Sequence, residues 1–469
     1  MVWMIDQLNT IFWGYILIYG LLGVGLFLTI RLGFLQFRHF GELFRCVIGS
    51  GSSDKDGISP FQALTVSLAS RVGTGNITGV AVALTQGGPG AIFWMWMVAL
   101  VGMATAYAES MLAQLYKVHG PGGMYRGGPA YYISNGLGMP WLGAVFSVAL
   151  IICFGLIFNA VQANSIAEAV TGVTGVNKLW IGLGVAVLSG IIIFGGIPKI
   201  ARVAEFVVPF MAGAYLLAAL WVLVTNFSEV PGVLGHIVKN AFGIEQAAWG
   251  TAGGIMAAAL NGIKRGLFSN EAGMGSAPNI AAVATPNPHH PSSQGFVQAL
   301  GVFIDTILVC TATAVMILLS GVIPSESLTG VALTQAALGE HFGGFGHTFV
   351  AVAIFFFAFT SIIGNYAYAE NAVIFLGHGN PTIVTALRVG VMAMVVWGAM
   401  QAVKTVFDFA DASMGVMATI NLIAVVLLSG TVAAVTRDYL RQRADGREPE
   451  FRVSDHPGIA PGVDRGIWG

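Results

Sequence analysis

Charge is what this sequence has least of. Only 9% of its 469 residues are Asp, Glu, Lys or Arg, while 56% are hydrophobic and 63 are glycine. A soluble domain carries about a quarter charged residues, so an ordinary water-soluble fold is excluded. The charges cancel to a net −1, which leaves no global field to recruit nucleic acid. Cysteine is equally scarce. Cys46, Cys153 and Cys310 are odd in number and widely separated, and they read as small hydrophobes rather than disulfide partners. The short alternating segments that build outer-membrane barrels are missing. So are His-Glu-x-x-His and Gly-x-Ser-x-Gly, and the nine histidines are scattered, which argues against an intramembrane enzyme. No basic n-region precedes the first apolar block, where Asp6 stands. That block therefore reads as a retained span and not as a cleaved signal.

What is present is a series of apolar blocks, each long enough to cross roughly 30 Å of hydrocarbon. They lie near 10–30, 60–84, 91–116, 140–169, 178–197, 201–225, 248–284, 296–323, 345–376, 382–402 and 405–434. These eleven segments predict an all-α polytopic protein embedded in the lipid bilayer. The seventh is too long for one simple crossing, so part of it lies outside the membrane or its helix is broken. Turn chemistry such as Gly87-Gly88-Pro89-Gly90 separates neighbours. If the spans alternate, Arg31, Arg38, Arg45, Lys55, Lys117, Arg126, Lys199, Arg202, Arg388 and the six arginines from Arg437 to Arg465 share one side. The other side receives Lys178, Lys239 and Lys404. Basic loops stay cytoplasmic. The bias thus predicts an inner-membrane protein with its N-terminus outside and its C-terminal tail in the cytoplasm.

An internal echo carries the functional signal. The second span contains Arg71-Val72-Gly73-Thr74-Gly75-Asn76, and the seventh contains Glu271-Ala272-Gly273-Met274-Gly275-Ser276. Five spans separate the two, so the halves enter the membrane from opposite faces. Gly-interrupted helices at matching places in inverted halves point to a transporter site. Glycine lets a membrane helix unwind, and an unwound segment survives only around a polar cavity. Freed amides at a half-helix N-terminus suit a carboxylate, and freed carbonyls suit an ammonium group or sodium. For a single glycine pair, close helix packing is the simpler account. Two pairs, each beside polar residues and charges, favour a site.

Ionisable groups at membrane depth usually face the bundle interior. Arg71 and Glu271 flank the breaks, where a buried ion pair and a transport role are both open. Lys264 and Glu271, seven apart, offer a second pairing. Glu168, Glu205, Asp408 and Asp411 read as interfacial side chains that snorkel. Asp305 stands about ten residues into the eighth span, between Ile304 and Thr306, and reads as a sodium ligand or a proton relay. Thr360 and Ser361 either bond the preceding turn or offer hard oxygen ligands to a small cation. Gln162, on one face with Asn159, either contacts a substrate or joins two helices.

Certain strings resemble a known family. Pro60-Phe61-Gln62-Ala63-Leu64-Thr65 running into Gly73-Thr74-Gly75-Asn76-Ile77, then Gly87-Gly88-Pro89-Gly90-Ala91 and Gly127-Gly128-Pro129-Ala130-Tyr131-Tyr132, are similar to the alanine/glycine:cation symporters. Arg265-Gly266-Leu267-Phe268-Ser269-Asn270-Glu271-Ala272-Gly273-Met274-Gly275-Ser276-Ala277-Pro278 is the most distinctive match. The resemblance covers about residues 60–430. It implies a LeuT-type fold of two inverted five-helix repeats, 59–226 and 227–434, between an extra N-terminal helix with its loop, 1–58, and a tail, 435–469. It also implies import of a small neutral amino acid with sodium as coupling ion and no other cofactor. By the same resemblance, backbone around Thr74 and Gly75 takes the substrate carboxylate, and Asn76 joins substrate to one sodium. Carbonyls of Ala69 and Val72 with the hydroxyls of Thr360 and Ser361 form a second sodium site. Phe268, Met274 and Gly275 supply the pocket and ammonium contacts. Gly73, Gln162 and Ser276 complete the substrate candidates, and Asp305 joins the sodium ligands. Asn365 departs from the pattern, standing where a Trp is expected, and leaves the pocket size open. A proton carried by Asp305, Glu271 or Glu109 is the rival to sodium. A channel is the more distant alternative.

Overall fold

The structure, a computed structural model, describes residues 2–51, 53–243, 253–325, 327–377, 379–459 and 461–469. The first residues of the predicted seventh span, 248–252, lie outside the described residues. The principal helices are α1 (Trp3–Arg31), α2 (Pro60–Arg71), α3 (Val80–Gly87), α4 (Gly90–Leu115), α5 (Pro140–Thr174), α6 (Lys178–Ile193), α7 (Gly196–Thr225) and α8 (Val230–Ala241). Then come α9 (Gly253–Asn270), α10 (Pro278–Ala281), α11 (Pro291–Leu319), α12 (Gly330–Phe342), α13 (Gly344–Gly377), α14 (Pro381–Ala399), α15 (Val403–Leu427) and α16 (Ser429–Ala444). Among the described residues, eight helices are long and apolar enough to cross a membrane. The other three expected spans are the shorter apolar α6 and two interrupted helices, α2–α3 and α9–α10. The amphipathic α8 and the largely buried α12, in segments expected as loops, are additions. The eleventh span stops at Leu427, and the chain re-forms as α16 rather than running on to 434.

Local chemistry accounts for these elements. α2 starts on a capping box: the Gln62 amide donates to Ser59 Oγ (3.1 Å), the Ser59 amide donates to Gln62 Oε1 (3.2 Å), and Pro60 follows the cap. Asn177 and Asn380 cap α6 and α14 in the same sense. Phe206, Phe210, Leu217 and Trp221 of α7 are exposed. In water such a face would be costly, whereas lipid tails solvate it.

The two interrupted helices run in opposite senses. Ile58, just before α2, pairs with the chain just after α10: its amide donates to the Val283 carbonyl (3.1 Å), and the Thr285 amide donates to the Ile58 carbonyl (2.9 Å). The first interrupted helix therefore begins on the face where the second one ends, as inverted repeats require. Arg126 lies 3.5 Å from Glu370, and Lys117 donates to the Ala284 carbonyl (3.1 Å). The loop that carries Lys117 and Arg126 thus lies on this same face.

Candidate functional site

The first break begins at Val72, whose ψ of 80° leaves the helix, and ends in a wide turn over Gly75–Gly79. The Gly73 amide, which would close a turn on the Ala69 carbonyl, donates instead to the Arg71 carbonyl and to Asn76 Oδ1, both at 2.9 Å. Likewise the Asn76 amide goes to the Gly73 carbonyl, not to that of Val72. The carbonyls of Ala69 and Val72 thereby lose their usual helical partners. The Thr74 amide and hydroxyl both donate to Gln162 Oε1 on α5, at 3.0 and 2.7 Å. A carboxamide oxygen thus sits on the freed amide that the sequence reserved for a ligand carboxylate.

Asn76 carries the break across to α11. Its Nδ2 donates to Asp305 Oδ1 (2.7 Å), while Ser269 and Thr306 donate to Asp305 Oδ2 (2.9 and 2.6 Å). Asp305 is fully buried and has no ion-pair partner among the described residues. Ionised, a carboxylate in that setting requires a cation or must take up a proton.

At the second break the chain is left-handed at Glu271 (φ 58°), Gly273 (φ 92°) and Gly275 (φ 77°). Glycine adopts this freely, but a side chain pays about 1–2 kcal/mol. Glu271 is anchored there by Ser70 (2.6 Å) and Ser276 (2.5 Å), which donate to its two carboxylate oxygens. The Gly273 and Gly275 amides converge on the carboxylate of Glu109 from α4, at 3.2 and 3.1 Å. Asn421 of α15 donates to Glu109 (2.7 Å) and to the Gly273 carbonyl (2.9 Å), and Tyr132 donates to Asn421.

Helix α13 closes the remaining side. A Cβ on Gly73 would collide with Ser361 Oγ and stand 2.9 Å from Gln162 Oε1, so Ser361 lies directly against the first break. Thr360 and Ser361 each donate to the Phe357 carbonyl at 3.0 Å, which leaves their lone pairs available. The Thr360 hydroxyl also faces Met211 on α7 (3.6 Å). Asn365 lies between Ser70 (2.6 Å) and Asn159 (3.1 Å) in a wall of the site. Phe268 stacks on Phe158 (4.7 Å), which stacks on Phe154 (4.5 Å). Gly75 packs on the second interrupted helix, since its Cβ would lie 2.9 Å from Ser269 Cα and 3.3 Å from Phe268 Cδ1.

Gly73, Thr74, Asn76, Gln162, Asp305 and Ser361 therefore come together around one buried point, with Gly75, Phe268 and Ser269 beside it. Met274 is buried within the second break. Gly275 faces away, since a Cβ there would lie 2.7 Å from Pro129 and 2.8 Å from Asn421. Pairings that the sequence left open are made with other partners, and Asp411 departs from its interfacial reading. Among the described residues Arg71 makes no ion pair with Glu271 and instead donates to the Gln298 carbonyl (3.1 Å). Lys264 pairs not with Glu271 but with Asp411 (2.7 Å), which also holds Arg265 (2.6 Å). Asp411 is thus a buried counter-ion and not a snorkelling side chain, because α9 brings two cations to it. Asn421, Ser269 and Tyr132 were not singled out by their sequence, although an amide between Ile420 and Leu422 was a legible signal.

Comparison with known proteins places this arrangement. The family model described as "Sodium:alanine symporter family" matches residues 1–453. The amino-acid carrier protein AlsT of Bacillus subtilis is 52% identical over 95% of this chain and 94% of its own. The probable sodium/glutamine symporter GlnT of the same organism is 47% identical over 96% of this chain and 94% of its own. Among solved structures, MhsT in complex with L-phenylalanine superposes with a TM-score of 0.55 at 14% identity, covering 80% of this chain and 91% of that one. The shared LeuT-type architecture is thereby established.

Proposed function

The chain belongs to the sodium:alanine symporter family, and on that premise we propose that it imports alanine or glycine with sodium by alternating access. The observation that carries this reading is the first break itself. There Asn76 joins the freed Gly73 amide to the buried Asp305 carboxylate, and the freed Thr74 amide beside it rests on Gln162. A zwitterion can replace Gln162 Oε1 on the Thr74 amide with its own carboxylate, helped by the helix dipole. Asn76 and Asp305 then face one sodium. The carbonyls of Ala69 and Val72 with Ser361 and, after a rotation of its hydroxyl, Thr360 offer the second. Phe268, with Met274 and Ser276 of the second interrupted helix, is taken to face the substrate, and Asn365 borders the pocket.

The two repeats, 59–226 and 227–434, are read as the moving halves. The basic face is taken as cytoplasmic, with the N-terminus outside. Energetically the coupling is sufficient. A tenfold sodium gradient supplies about 1.4 kcal/mol, and 100 mV adds about 2.3 kcal/mol per charge. One sodium can therefore concentrate a neutral zwitterion several-hundredfold.

The test is uptake of labelled alanine into proteoliposomes with sodium and proton gradients imposed separately. Accumulation driven by sodium alone is expected, with glycine competing. Equal accumulation on a proton gradient in sodium-free buffer refutes sodium coupling. Glutamine outcompeting alanine moves the substrate to a larger side chain.

A further inference from the structure

The segment after α16 does not trail into solvent. Phe451, Val453, Val463 and Trp468 are buried, and the Phe451 amide donates to the His289 carbonyl (3.0 Å). Asp438 on α16 anchors the root of the segment. It lies 3.5 Å from His290, which caps α11, and 3.5 Å from His456 of the segment itself. The His290 ring beside it holds the Asp438 carboxyl well below the usual carboxylate range. The family match ends at 453, so the outer half of this segment lies beyond it.

Its landing place is the junction of the two interrupted helices. Trp468 Nε1 donates to the Gln114 carbonyl (3.3 Å), while the Gln114 side chain donates to the carbonyls of Ala281 (2.5 Å) and Ala284 (2.8 Å). Lys117 donates to the same Ala284 carbonyl and lies over the rings of Tyr125 (3.8 Å) and Trp468 (5.4 Å). One residue to either side of Ala284, Val283 and Thr285 clamp Ile58 at the start of the first interrupted helix. Gln114 and Lys117 thus hold the gate with their side chains and the segment with a carbonyl and a cation–π contact.

We propose that residues 445–459 and 461–469 form a latch on the cytoplasmic gate, in which Trp468 keeps the Ile58–Thr285 clamp closed until its ring withdraws. The proposal rests on the alternating-access reading, because the clamp must part for the site to open inward. A bound latch shifts the population toward the inward-closed state by its differential contacts alone.

The experiment reads gate opening without substrate. A284C is labelled with a maleimide in inside-out vesicles, in the parent, W468A, W468F and a chain ending at 456, with T334C on the opposite face as control. W468A and the shortened chain are expected to label A284C about tenfold faster, with W468F between them and the parent, and T334C unchanged. Equal A284C rates in all four overturn the latch. Parallel acceleration at T334C also overturns it, because that is general loosening of the fold. Failure of sodium-driven uptake with an intact labelling pattern would count against the transport reading instead.

Discussion

Gly73 has no Cβ, and the space this leaves is filled by two oxygens, Ser361 Oγ and Gln162 Oε1. Few positions in the chain are so confined by groups that also have chemistry to perform. Gly73→Ala forces Ser361 to rotate, and Ser361→Ala removes its oxygen. Both are expected to raise the sodium concentration at half-maximal substrate binding about tenfold or more, while thermal stability changes little. Titration of alanine binding against sodium checks this, and an unchanged half-saturation in both variants removes Ser361 from the ion site. Gly75 and Gly275 were paired by sequence spacing, but the structure separates their tasks. Gly75 lets the two interrupted helices touch, whereas Gly275 supplies a left-handed turn against Asn421 and Pro129. A bulky residue at Gly275 would therefore act chiefly through packing.

The interrupted helices differ in how their loose ends are satisfied. The first break is capped by carboxamides, Gln162 and Asn76. These are neutral and exchange readily for a ligand's charged oxygen. The second is capped by the carboxylate of Glu109, whose two oxygens take the Gly273 and Gly275 amides and Asn421. Charge-assisted bonds of this kind hold a bent segment rigid. Glu109→Gln offers one acceptor and turns an NH₂ toward an amide N–H. It is expected to cost about 1–3 kcal/mol, the usual penalty for an unsatisfied buried donor, read as a lower melting temperature of the purified protein. A melting temperature equal to the parent would mean that Glu109 is not the clamp.

Across the whole molecule, the loop that carries Lys117 and Arg126 and the closed junction of the interrupted helices share one face, with the C-terminal segment laid over it. If that face is cytoplasmic, K404C, exposed on the other side, is expected to react with an impermeant thiol reagent in intact cells. R452C is expected to react only after the membrane is breached. The reverse pattern would invert the assigned topology and place the latch outside. The tertiary contact of Ile58 with Val283 and Thr285 also joins the two interrupted helices at that face, so the proposed gate draws on both.

The sequence by itself determined the class, the spans and the two breaks. Hydropathy is additive along the chain, and a Gly-x-Gly in a membrane helix is a local weakness legible in any context. Even the overlong seventh span announced its interruption. What only the tertiary structure decided is which polar groups meet. Arg71 and Glu271 occupy matching positions in the two repeats, yet Arg71 turns to Gln298 and Glu271 to Ser70 and Ser276. Asp411, apparently interfacial by position, is buried between Lys264 and Arg265. Apart from Glu271 with Ser276, these pairings join residues more than a hundred positions apart. They depend on the rotation of each helix about its axis, which hydropathy along one chain does not encode.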